Sequence, residues 1–128
     1  WAKRHEKIVR AAVDTGKPVL CHCCGSQKEV LPYFCRWGVH AVHPLQPDMN
    51  DIYAVREEYP RLALVGNISV QETLSFGTPK DVAMDTRDHL TRLGPSGGYA
   101  VGSSHSIIDS IPPENYRTMI ETTRQYGN

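Results

Sequence analysis

Four short apolar runs, each followed by a stretch of helical periodicity, constrain this chain more than any other feature. Val19–Cys23, Val39–His43, Leu62–Val65 and Tyr99–Ser103 read as strands bounded by glycine, proline or polar clusters. Helical segments follow them: Gln27–Arg36, Asp51–Tyr59, a short turn over Ser69–Leu74, Thr78 to Leu93, and a last helix opened by Pro112-Pro113-Glu114 and ending near Gly127. In Thr78-Pro79-Lys80-Asp81 the threonine can cap, proline suits the first turn and aspartate favours the positive end of the dipole. One more helix, Trp1 to Thr15, precedes the first strand, with Ile8, Val9, Ala12 and Val13 on one face. Strands alternating with helices in this way need right-handed crossovers and pair in parallel, so the fold class is α/β. The 128 residues suffice for one domain with its own core.

In such a sheet the C-terminal strand ends share one rim, where these folds place binding and catalysis. Each strand here ends in a polar or glycine-bearing cluster: His22/Cys24/Gly25, His43/Gln46, Gly66/Asn67 and Ser103/Ser104/His105. The first is the richest in chemistry. Side chains at i and i+2 of a strand point the same way, so His22 and Cys24 share one face while Cys21 and Cys23 share the other. Imidazole beside thiolate suits zinc or another soft divalent ion, although cysteines in an apolar strand also serve as small buried hydrophobes. Asn67 offers a donor and an acceptor at the rim, or else a turn residue that tolerates left-handed backbone. His43, on the face of Ala41, reads as a core histidine.

Charge excludes some functions. Fourteen basic and fourteen acidic side chains cancel, so no net field recruits nucleic acid or an anionic membrane surface. No apolar run approaches the ~20 residues of a membrane span. Three of the four cysteines fall within residues 21–24, which is not a disulfide framework, and a reducing cytoplasm is the expected location. The chain opens at Trp1 in what reads as mid-helix, the expectation for a piece of a longer protein.

Several segments together resemble the C-terminal half of the uroporphyrinogen decarboxylase superfamily, which includes zinc-dependent methyltransferases that move methyl groups from corrinoid proteins to thiols. They are Gly16–Gly25, Gly38–Pro47, Leu64–Ile68, Gly77–Pro79, Gly97–Tyr99, Ser104–Ile107 and Pro113–Asn115, in the right order over nearly the whole chain. The resemblance implies four strand–helix units, half of a (β/α)8 TIM-type barrel, behind one leading helix. It implies metal ligands at His22 and Cys24, with His105 at the third ligand position, where the methyltransferases carry cysteine and the decarboxylases histidine. Zinc is the implied metal, a small-molecule thiol the implied acceptor and a corrinoid protein the implied partner.

Asn67 and His105 are then expected to be catalytic, and Gln46, Asn67 and Ser104 to bind and orient substrate or to support the groups that do. Decarboxylation of a porphyrinogen stays open as the alternative, although it needs cations at the rim. Arg36, Arg56, Arg61, Arg87 and Arg92 fall on helices or at the far ends of strands. A third reading is a non-catalytic half-barrel. Its inner face, expected to be Leu20, Ala41, Ala63, Val65, Tyr99 and Val101, would be bare, so self-association of two copies is expected.

Overall fold

Capping and proline chemistry decide where the helices begin. In the computed structural model, which describes residues 1–127, Thr78 and Asp81 close a reciprocal capping box at the head of α4 (Pro79–Leu93). The leading helix α1 covers Ala2–Val13. Asp51 caps α3 (Ile52–Glu58) through the N–H groups of Tyr53 and Ala54. Ser69 caps a π-helical turn over Val70–Leu74 by accepting from Glu72 N–H. Helix α2 spans Leu31–Trp37 and starts later than the expected Gln27. Pro32 explains the delay: without an N–H it is tolerated only in the first turn of a helix. The last helix, α5, covers Pro113–Tyr126.

The strands β1 (Leu20–His22), β2 (Ala41–His43), β3 (Ala63–Ile68) and β4 (Tyr99–Ser103) form one parallel sheet in the order β1-β2-β3-β4. The register pairs Leu20 with Ala41 and Ala41 with Ala63, then Val65 with Ala100. Paired residues lie on the same face, which sorts the two sides of the sheet. One side carries Val42 and Leu64, both fully buried under the helices with Leu31, Trp37, Leu45, Ile52 and Leu93. A second cluster joins Ile68, Val70 and Leu74 to Val82, Ile111 and Met119. Burial of each such side chain contributes about 1.5–3 kcal/mol.

The opposite side has no helical cover. Leu20 is 51% exposed there, Ala100 is exposed, and Ala41, Ala63 and Val65 are half-buried. The expected inner face was right for four of its six residues and wrong for Tyr99 and Val101. Tyr99 pairs with Leu64, so it and Val101 lie on the helix side, and Ala100 takes the bare side. A one-residue slip along a strand exchanges its two faces. The Tyr99 hydroxyl donates to the Gly66 carbonyl and its ring stacks 6.2 Å from His89 of α4, which holds it on the helix side. No helix among the described residues is long and apolar enough to cross a membrane.

Candidate functional site

The strand β1 delivers His22 at its last position, and Cys24, two residues past its end, keeps to the same side. Both are exposed at the C-terminal rim, and the Cys24 Sγ lies 3.4 Å from the His22 Nε2. Cys21 and Cys23 turn the other way and pack against the core, where burial pushes the Cys21 thiol above its ordinary range. A separation of 3.4 Å suits two ligands of one tetrahedral zinc, with bonds of about 2.3 Å to sulfur and about 2.0 Å to nitrogen. The donor pair therefore fits a soft divalent ion. His105 is exposed on the loop after β4, near enough for its charge to act on His43. Among the described residues, no three His, Cys, Asp or Glu side chains converge as a ready-made metal site. His22 and Cys24 are paired, and His105 stands apart from them on the loop after β4.

The loop that carries Cys24 is clamped by polar side chains. Gln46 Oε1 accepts from Gly25 N–H at 2.5 Å, Asn50 donates to the Gly25 carbonyl, and Asn50 Oδ1 accepts from Gln27 N–H. The buried Gln27 amide donates to the Cys23 carbonyl at 2.7 Å. Gln46, expected to orient substrate or support the groups that do, has its side-chain oxygen engaged in holding the turn behind Cys24. Gln27 and Asn50 were not foreseen, since nothing in the local sequence marks either as a cross-link between two loops.

Asn67 and Ser104 are both buried and brace the fold, which matches the supporting role expected of the two and gives neither side chain direct access to solvent. Asn67 is 3% exposed with φ +87°, the left-handed turn geometry that asparagine tolerates. Its Nδ2 donates to the Leu45 carbonyl and its Oδ1 accepts from His89 Nε2 at 2.8 Å. Ser104 is 1% exposed, and its hydroxyl accepts from Val70 N–H at the head of the π-helical turn. Both side chains are occupied by the fold itself.

His89 faces acceptors on both nitrogens, because Nδ1 meets the Asp85 carbonyl at 2.9 Å and the Asp85 carboxylate at 3.2 Å. Burial alone lowers its pKa, but the hydrogen bonds to Asp85 and the charges of Asp85 and Asp88 outweigh it, and the net shift is upward. Folding therefore takes up a proton at His89 above the ordinary histidine range of about 6.5. Stability from this source is complete below that range and is lost as pH rises through the raised value. Urea midpoints are expected to fall as pH rises from about 6.5 through the raised value, with a flatter profile in His89→Gln. A wild-type profile as flat as the variant's would refute this.

His43, read from the sequence as a core histidine on the face of Ala41, also reaches the rim. It is half-buried at the end of β2, directly across from His22 in the register, and the two Nδ1 atoms are 2.9 Å apart. Burial lowers its pKa, the His22 charge lowers it further, the Ser103 carbonyl opposes the shift by accepting from the ring, and His105 adds a smaller push downward. A signal was present: two neighbouring parallel strands each end in histidine, and in-register pairing puts them side by side.

The sequence profile of "Uroporphyrinogen decarboxylase (URO-D)" matches residues 2–126, nearly the whole chain. The chain belongs to the URO-D family. It is 23% identical over 117 residues to a "Methylated-thiol--coenzyme M methyltransferase" of Methanosarcina mazei, covering 91% of this chain and 30% of that protein. It is 25% identical over 121 residues to "Methylcobamide:CoM methyltransferase MtbA" of Methanosarcina acetivorans, covering 94% and 34%. A solved methyltransferase from Methanosarcina mazei superposes with a TM-score of 0.71 at 18% identity, over 94% of this chain and 35% of that one. This likeness establishes the fold, and the chain spans about a third of the length of these relatives.

Within the URO-D frame, the uncovered sheet face is the side that a (β/α)8 barrel turns inward. The bare strand face and the His22–Cys24 pair thus lie on one side of the sheet. The five arginines considered for anion binding are elsewhere: Arg36, Arg56, Arg87 and Arg92 are on helices, and Arg61 precedes β3. Arg56 donates to the carbonyls of Pro60, Leu62 and Gly98, at the end of the sheet opposite the rim.

Proposed function

We propose that this chain is the metal-holding part of a URO-D-family methyltransferase that transfers a methyl group to the thiol of a small molecule. The single observation that carries the reading is the His22 Nε2–Cys24 Sγ pair, 3.4 Å apart at the rim of β1. The relatives whose printed names describe methyl transfer to coenzyme M support it. His22 and Cys24 would be two ligands and His105 the third. Zinc fits a donor set of two imidazoles and one thiolate, and a fourth position stays open for substrate.

Zinc bound there would hold a substrate thiol as thiolate at neutral pH, so that no separate general base is needed. The chain's own part is orientation. Cys24 is presented by a turn that Gln46 and Asn50 fasten at Gly25. His22 is held by His43, and the apolar strands behind them exclude water from one side of the cleft. The methyl donor in this reading is a corrinoid protein, and a second copy of the chain covers the bare sheet face when the chain is alone. Decarboxylation of a polycarboxylate is less well supported, because none of the five arginines considered stands at the rim to grip the substrate.

Protein purified without added metal is expected to carry about one zinc per copy, by elemental analysis, and to scatter light as a dimer. Metal-free protein that binds a porphyrin would replace this reading with decarboxylation. A metal-free protein that binds neither would leave a non-catalytic half-barrel.

A further inference from the structure

We propose that His43 is a positioning residue for the His22–Cys24 pair: it accepts the Nδ1 proton of His22 and so keeps the Nε2 lone pair of His22 directed at Cys24. This inference rests on the metal-binding reading above. Its basis is the direction of a chain of hydrogen bonds. Two Nδ1 atoms 2.9 Å apart need a proton on one and a lone pair on the other.

The far end of the chain decides which. The Ser103 carbonyl can only accept, and a Cβ added at Gly66 would touch both it and the Cδ2 edge of His43, so the two lie close together. Nδ1 of that ring already faces His22, and the Cδ2 edge lies over Gly66 beside the Ser103 carbonyl. The His43 proton therefore sits on Nε2, and its Nδ1 is left as an acceptor. His22 must then carry its own proton on Nδ1. Its Nε2, 3.4 Å from the Cys24 sulfur, is the unprotonated nitrogen that a metal requires.

All four strands take part in this arrangement. Register puts His22 and His43 on one rung of β1 and β2, and β4 supplies the Ser103 carbonyl. Between them β3 contributes Gly66 at φ +103°, where an added Cβ would come within 3.1 Å of His43 Cδ2 and 3.2 Å of the Ser103 carbonyl. Only glycine both adopts that backbone and leaves room for the ring. A histidine that merely filled the core would not have its Nδ1 engaged by an exposed imidazole. His43 links that exposed imidazole to the backbone.

Cobalt(II) is a suitable probe, because its sulfur-to-metal absorption band reports ligation by Cys24 independently of activity. The measurements are cobalt affinity for wild type, His43→Ala and His43→Asn, with circular dichroism to establish that each is folded. His43→Ala is expected to bind cobalt about 10–100-fold more weakly, the usual cost of losing an outer partner of a ligand histidine. Asparagine places an amide oxygen near the position of Nδ1, and His43→Asn is expected to recover most of the affinity. Wild type that shows no thiolate band would remove the metal reading and this inference together. A thiolate band in wild type with unchanged affinity in His43→Ala would overturn the inference alone, and so would His43→Asn as weak as alanine.

Discussion

Replacing Asn67 with alanine is expected to destabilise the protein by about 3 kcal/mol, because two buried partners lose their hydrogen bonds at once. The Leu45 carbonyl would lose its donor and the Nε2 of His89 its acceptor, both out of reach of water. Each orphaned buried group costs about 1–3 kcal/mol, and the alanine must also hold φ +87°, which costs it more than asparagine. Leu45 itself sits at φ +50°, so the amide of Asn67 supports a second residue in left-handed geometry. Urea unfolding is the direct measurement. A residue whose work was contact with substrate would leave the unfolding midpoint near wild type and change only turnover. A loss below about 1 kcal/mol would show that the bracing role is overstated.

Removing the thiol of Cys24 has the largest expected effect on binding. Cys24→Ala should lower zinc or cobalt affinity by more than about 100-fold, since losing a ligand costs more than losing a ligand's outer partner. His22→Ala should do the same. Cys21→Ala is the informative control. Its side chain packs against the core cluster on the opposite side of the strand, so this variant should keep the metal while losing stability. The contrast follows from alternation along the chain, in which residues an odd number apart face opposite sides. Metal content that survives Cys24→Ala and falls with Cys21→Ala would reverse the assignment of the two faces.

The fold was legible where local chemistry and long-range packing agree. Thr78, Pro79 and Asp81 mark a helix start in any context, because the capping box is closed by residues within one turn of each other. The run Val19–Cys23 has strand character, and its alternation placed His22 and Cys24 on one side without knowledge of any neighbour. The register of β4 was not legible in the same way. Tyr99 and Val101 look as suitable for an inner barrel face as Ala100 looks unsuitable, and only the hydroxyl bond to Gly66 and the stacking on His89 reveal the phase.

The site divides along the same line. By itself the sequence determined that an imidazole and a thiol two residues apart would emerge together at a strand end, since the backbone of a strand dictates that geometry. Tertiary structure alone decided what surrounds them. Gln46 was recruited to the Gly25 turn, Asn67 to His89, Ser104 to the π-helical turn and His43 to His22, across separations of 21, 22, 34 and 21 residues. A polar side chain carries no mark of its partner in its own neighbourhood. Which donor meets which acceptor is settled by the strand register and by the helices closing over one face of the sheet.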